Sequence, residues 1–171
     1  MLLKDDDLVI RNATVNDVQI LCKWWSDGKV MAHAGFPNGV YTDPMKLAEQ
    51  IENESDLSRR LIIKIETNKV GEMNYRIKDN TAEIGIKICD FSYQEKGYGT
   101  KALKLLIGFL FAEMKVQKII LDTNVNNLRA QHVYEKIGFI KTSVSLNSWR
   151  DQLGELQSFV NYELKISDYE F

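Results

Sequence analysis

Residues 94–100 read QEKGYGT, and KALKLLIGFLFAEMK (101–115) follows with its apolar residues at helical spacing. Two glycines, Gly97 and Gly99, therefore stand where a long helix begins. A helix N-terminus carries backbone N–H groups without partners and about half a positive charge, so it can hold an anion with no basic side chain. Glycine lacks a Cβ, which lets the backbone take positive φ and turn those N–H groups inward as a nest for phosphate oxygens. The same glycines also suit a plain strand-to-helix turn, and the loop alone does not separate the two readings.

Upstream, RLIIKIE (60–66), NKVGEMNYRI (68–77) and TAEIGIKIC (81–89) are β-rich runs broken at TN and KDN, which predicts an antiparallel meander. Before it, LVIRNA (8–13) reads as a strand and Thr14 caps a helix over VNDVQILCKWW (15–25). SDGKVMAHAGFPNGVYTDP (26–44) has the Gly, Pro, Asn and Asp of a loop, and Thr42 or Asp43 then caps a second helix with Pro44 in its first turn. Downstream come a strand at KIILDT (118–123), a helix over NNLRAQHVYEKIG (126–138), and strands at FIKTSVS (139–145) and LQSFVNYELKI (156–166). With neither repeat nor linker between these elements, a single domain over 1–171 is expected: α/β (α+β), with one mixed sheet and helices on its faces.

The chain has 171 residues, 44% hydrophobic and 27% charged, with a net charge of -2, which gives no basic footprint for nucleic acid. No apolar run reaches the roughly 18 residues of a membrane span, and MLLKDDDLVIRN puts aspartates where a signal peptide needs apolar residues, so a cytoplasmic location is expected. Cys22 and Cys89 lack CxxC spacing, and His33 and His132 lack partners at ligand spacing, so neither a disulfide nor a metal is expected. Gly97, Gly99 and Ala102 also fit GxGxxG/A, with Asp122 about 20 residues on, as a dinucleotide site requires. Against that, DFSYQEK (90–96) separates the preceding strand from the first glycine, and the upstream strands are hairpins rather than βαβ units.

QEKGYG resembles the Q/R-x-x-G-x-G/A loop of the GNAT superfamily of acyl-CoA-dependent N-acetyltransferases, and NNLRAQHVYEKIGF (126–139) resembles its N-x-x-A and Y-E-K-x-G-F signature. AEIGIKIC (82–89) is similar to that family's central strand, and WWSDGKV with AEIG looks most like the branch of the ribosomal-protein N-terminal acetyltransferases and their small-molecule relatives. The resemblance spans nearly the whole chain. It implies the GNAT fold, with a mostly antiparallel sheet of about seven strands and about four helices, and acetyl transfer from acetyl-CoA to a primary amine within a ternary complex. A protein N-terminus, a polyamine and an aminoglycoside all remain open as acceptors, as does a non-catalytic acyl-CoA sensor. The family often pairs, which makes a homodimer an expectation.

On that resemblance, Gln94, Glu95, Lys96, Gly97, Tyr98, Gly99 and Thr100 hold the pyrophosphate, the backbone of Ile88 and Cys89 pairs with the pantetheine arm, and Asn127 and Ala130 complete the coenzyme site. An alkyl ammonium titrates near 10.4, so the acceptor must lose a proton before it attacks. Glu83, on the strand whose alternation sets Glu83, Gly85, Lys87 and Cys89 on one face, is the first candidate base, and Glu72 the second. Tyr134 matches the signature tyrosine often placed to protonate the leaving sulfur, although it also lies on an apolar stripe with Ala130, Val133 and Ile137. Trp25, His33 and Phe36 near the first long loop, and Trp149 before the last strand, are the expected substrate contacts, with Glu72 beside them.

Overall fold

Asp79 and Asn80 both take left-handed backbone, φ 50° and 59°, and close the hairpin between β4 (Asn68–Lys78) and β5 (Thr81–Ile88). Such residues match the twist of a two-residue β-turn, which is why KDN reads as a hairpin signal. Glu66, φ 53°, helps close the turn from β3 (Ser58–Ile65) into β4. A computed structural model describes residues 1–171, and this meander is the centre of its sheet. β1 (Leu2–Asp5) and β2 (Leu8–Asn12) extend it on one side. On the other lie β6 (Lys118–Asn124), β7 (Ile140–Arg150) and β8 (Leu156–Lys165), giving the order β1-β2-β3-β4-β5-β6-β8-β7.

Five helices join the eight strands: α1 (Val18–Ser26), α2 (Gly28–Met31), α3 (Pro44–Glu52), α4 (Tyr98–Ala112) and α5 (Leu128–Ile137). The sequence reading of about seven strands and four helices falls one short of each. The missed strand is β1, whose only apolar residues, Leu2 and Leu3, are adjacent rather than alternating and run straight into the aspartates that form its turn into β2. The missed helix is the single turn α2, which starts inside a segment read as loop because the Asp27 side chain accepts from the Lys29 N–H.

The sheet buries a different stripe of side chains on each face. On one face, Leu103, Leu106, Ile107 and Leu110 of α4 meet Ile63, Met73, Ala82, Ile84 and Ile119, all within a core of 24 buried residues that also takes in Tyr134 of α5. Burying such side chains contributes about 1.5–3 kcal/mol each. On the other face, Val18, Leu21 and Trp24 of α1 and Leu47 and Ile51 of α3 cover Ile62 and Cys89. β5 thus sorts its residues by period two: Ala82 and Ile84 go to the α4 core, while Glu83, Gly85, Lys87 and Cys89 face the side of α1. No helix is long and apolar enough to cross a membrane.

Candidate active site

β5 and β6 run parallel only from Thr81–Glu83 against Lys118–Ile120. Beyond that point β5 stays with β4 and β6 stays with β8, so the two strands part and the sheet forks. A cleft of about 870 Å³ occupies the fork. Ile84–Ile88 line it from β5, Asp122, Thr123 and Asn124 from β6, the start of α4 closes one end, and α5 contributes Ala130, Val133 and Tyr134.

The bond from the Cys89 N–H to the Val70 carbonyl, 2.8 Å, sets the alternation of the β4–β5 ladder. Gly85, Lys87 and Cys89 direct their backbone groups to β4, so Ile86 and Ile88 direct theirs into the fork, where β6 has left. That moves the expected edge by one residue. Cys89 is buried and its N–H is occupied, so the outward pair is Ile86 and Ile88 rather than Ile88 and Cys89. The Ile88 carbonyl accepts from Gln94 Nε2 at 2.9 Å, which fixes the loop to the strand.

At the other end, Gly97 is left-handed, φ 83°, immediately before α4, and Glu95 is left-handed as well, φ 59°. The first helical bond runs from Lys101 to the Gly97 carbonyl, 3.1 Å, so the N–H groups of Tyr98, Gly99 and Thr100 point out of the helix end without intrahelical partners. Nothing lies within 4 Å of a Cβ built on Gly97: the glycine is required by its backbone conformation, not by crowding. Gln94, Glu95, Gly97, Gly99 and Thr100 line the cleft. Lys96 and Tyr98 do not. The Lys96 ammonium lies over the Tyr93 ring at 5.9 Å, and the Tyr98 hydroxyl donates to Asp7 at 3.2 Å, away from the fork. Asn127 caps α5 by accepting from the Ala130 N–H, 3.2 Å, and also lines the cleft.

Tyr134 is buried and lines the cleft, with its ring edge-on to Phe139 and Tyr162. Burial, followed by the charges of Asp122 and Tyr162, pushes its phenol up to about 12. The hydroxyls of Tyr75, Tyr98 and Tyr162 are bound to Asp56, Asp7 and Glu135; that of Tyr134 makes no such bond.

The carboxylates are distributed differently from the sequence reading. Glu83 stands outside the cleft, its side chain 55% exposed and 3.5 Å from Arg76, in a smaller depression with Thr142, Asn161 and Glu163. The reason is position: Glu83 is the last β5 residue still paired with β6, below the fork. Glu72 is buried and lines the cleft; its Oε1 accepts from Trp25 Nε1 at 2.6 Å and lies 3.7 Å from Lys87 Nζ. Asp122, noted in the sequence only for a dinucleotide site, lines both the cleft and the depression. Its signal was the one charged residue within IILDT, on the face opposite Ile119 and Leu121.

His33 lines the cleft, with Lys29, Val30 and Ala34. Trp25 acts behind the wall, through Glu72, with the Arg60 guanidinium 5.0 Å from its ring. Phe36 and Trp149 also stand behind it. Trp149 stacks on Phe159, which does line the cleft, with ring centroids 5.8 Å apart, and it sits against Gly35 so closely that an added Cβ there would fall 1.7 Å from the ring. Gln152 bonds to the backbone of Asn38 and Gly39, 2.9 Å each, so the β7–β8 hairpin is fastened to the loop that carries His33. This long-range fastening has no signature in local sequence.

The donors fit the expected coenzyme: unpaired N–H groups at a helix end for a pyrophosphate, and a free strand edge for an extended amide-bearing arm. A family model described as "Acetyltransferase (GNAT) domain" matches residues 7–140. The chain is 28% identical over 155 residues to the uncharacterized N-acetyltransferase YnaD of Bacillus subtilis, covering 85% of this chain and 89% of that protein. It is 26% identical over 143 residues to the spermidine N(1)-acetyltransferase of Escherichia coli K12, covering 80% of this chain and 69% of that protein. Among solved structures, the spermidine N-acetyltransferase of Vibrio cholerae, in complex with CoA and spermine, superposes with a TM-score of 0.85 at 20% identity, over 96% of this chain and 99% of that one. A forked sheet with a glycine-started helix at its mouth, matched by the family over most of its length, makes this chain a member of the GNAT acetyltransferase family and an acetyl-CoA-dependent N-acetyltransferase.

Proposed function

We propose that the acceptor is a molecule offering a single primary amine, such as a peptide N-terminus, rather than a polyamine. The observation that carries this is the charge balance of the cleft. A polyamine brings several ammonium groups, each needing an uncompensated carboxylate. Glu72 is already paired with Lys87, Glu83 with Arg76, and Glu95 with Arg129 at 3.7 Å, while Lys29 adds to the basic side of the cleft. Asp122 alone stands there without an ionic partner, which suits one amine. An N-terminal α-amine also titrates near 8, about two units below an alkyl amine, and so is easier to deprotonate. The likeness to spermidine acetyltransferases favours the second reading, a polyamine laid along Glu83, Asp122 and Glu163; the Lys118 ammonium 3.9 Å from Glu163 opposes it.

Within this reading, acetyl-CoA when bound supplies an activated acetyl thioester. Tyr98, Gly99 and Thr100 would hold the pyrophosphate through their N–H groups, Ile86 and Ile88 would align the pantetheine arm, and Tyr134 would supply a proton to the departing sulfur. A cytoplasmic location and a homodimer through β7, with Ile140, Val144 and Leu146 exposed, belong to the same proposal.

Release of coenzyme A thiol across three amines tests the acceptor: a tetrapeptide with a free N-terminus, spermidine and kanamycin. The peptide is expected to exceed spermidine in kcat/KM by about tenfold or more, the factor set by roughly one uncompensated charge contact. Faster turnover of spermidine would sink the single-amine reading. Gly97→Val tests the cradle separately. Forcing a β-branched residue to positive φ costs about 1–2 kcal/mol, so coenzyme A affinity measured by calorimetry is expected to fall about 5–30-fold, with no new steric clash.

A further inference from the structure

We infer that Asp122 is the general base of this transferase, the group that takes the proton from the acceptor's ammonium before it attacks. The inference rests on the acetyl-transfer reading of the fork and deepens it, because the sequence pointed to Glu83 and Glu72.

Geometry separates the three carboxylates. Glu83 lies below the fork, tied to Arg76. Glu72 is in the cleft, but one oxygen accepts from Trp25 and faces Lys87. That wiring suits a wall that shapes the pocket. Asp122 sits on β6 two residues past Ile120, the last β6 residue paired with β5, on the strand edge that β5 has vacated. Leu121 packs into the α4 core, so the side chain of Asp122 leaves the strand on the opposite face, toward the turn bearing His33. It is therefore on the acceptor side of the fork, in the cleft that Tyr134 also lines.

The groups facing Asp122 are Glu83 on β5, Tyr134 on α5, Asn161 and Glu163 on β8, and His33 on the loop above. Desolvation by the walls of the fork, and then the charge of Glu83, hold its carboxyl above its ordinary value. A carboxylate that holds a proton more readily is a better proton acceptor, and with no counter-ion it can receive the ammonium itself.

The proton balance closes. Of the three N–H protons on the acceptor's ammonium, one passes to Asp122 and then to water, one stays on the amide, and one ends on sulfur as the N–C bond forms and the C–S bond breaks. Asp122 also couples the two ends of the reaction. Its charge is one of the causes that hold the Tyr134 phenol high. Once Asp122 is protonated that contribution disappears, and Tyr134 becomes a stronger donor at the moment the sulfur departs.

The test uses the full chain, the same three amines, and the variants Asp122→Asn and Glu72→Gln. Asp122→Asn is expected to lower kcat about 10²–10⁴-fold, to abolish the fall of kcat on the acid side, and to keep coenzyme A affinity by calorimetry. Glu72→Gln is expected to keep that acid limb. A second readout needs no turnover: the Asp122 carboxyl carbon, followed by NMR in the protein alone, is expected to titrate above about 3.9, the ordinary aspartate value. Wild type that releases no thiol with any of the three amines overturns the transfer reading and the base with it. Wild-type turnover that Asp122→Asn preserves within threefold, an acid limb lost only in Glu72→Gln, or an Asp122 midpoint at or below the ordinary value overturns the base assignment alone.

Discussion

Tyr134→Phe is expected to lower kcat by about 10–10²-fold while leaving KM for the acceptor and the affinity for coenzyme A nearly unchanged. The variant removes one oxygen from a ring that stays packed against Phe139 and Tyr162, so the fold is retained. What is lost is a hydrogen bond made to a sulfur only as it becomes charged. Hydrogen bonds to charged groups are worth about 1.5–3 kcal/mol, and each 1.36 kcal/mol is tenfold in rate. The phenol, pushed up to about 12, is protonated throughout the working range. Full transfer to a thiolate near 8.5 is uphill from there, so Tyr134 acts first as a hydrogen-bond donor and completes the transfer only as the amine's charge is discharged. The same value predicts that wild-type kcat shows no alkaline fall below about pH 10 from this group. Steady-state kinetics over pH, with both substrates saturating, decides it; a Phe variant with full kcat assigns Tyr134 to packing.

The elements that local chemistry dictates were legible beforehand. Asp79 and Asn80 announce a hairpin, Gly97 a helix start under positive φ, and the period-two pattern of β5 sorts its faces without any structure. The point at which the fork opens was not legible, because it depends on where β6 stops pairing with β5, and pairing between strands separated by a helix leaves no local mark. Glu83 illustrates the consequence. Its strand and its face were read as the structure has them, but a shift of two residues along β5 decides whether a carboxylate enters the cleft. Trp149 and Phe36 fail in another way: they come from distant parts of the chain to meet each other, with centroids 6.5 Å apart, and support the pocket from behind.

Asp17→Asn is expected to lower the unfolding free energy by about 3–5 kcal/mol, the cost of breaking a buried ion pair from one side. Asp17 is fully buried at the start of α1. Its carboxylate accepts two bonds from Arg11, 2.7 and 2.9 Å, one from the Thr14 N–H at 2.8 Å, and faces Lys69 Nζ at 2.7 Å. Thus one side chain ties β2, β4 and α1 together, and α1 carries the Trp25 that holds Glu72 against the cleft. Burial alone would raise the carboxyl; the bonds from Arg11 and Lys69 and the Thr14 N–H outweigh it and hold the group well below the usual carboxylate range. A depressed folded pKa stabilises above the unfolded value near 3.9 and loses that contribution as pH falls toward the folded one. Wild type should therefore lose stability steeply below about pH 4, whereas the amide of the Asp17→Asn variant cannot titrate, so that variant's curve should be flatter there. Arg11 and Lys69 keep part of their solvation, with 26% and 30% of their side chains exposed, which places the loss at the lower end of the range. Urea unfolding at pH 7 and pH 3 measures both effects. A variant within about 1 kcal/mol of wild type at pH 7, the worth of an exposed pair, would mean that the two cations find water or other partners, and that the placement of α1 rests on Leu21, Trp24 and their apolar neighbours alone.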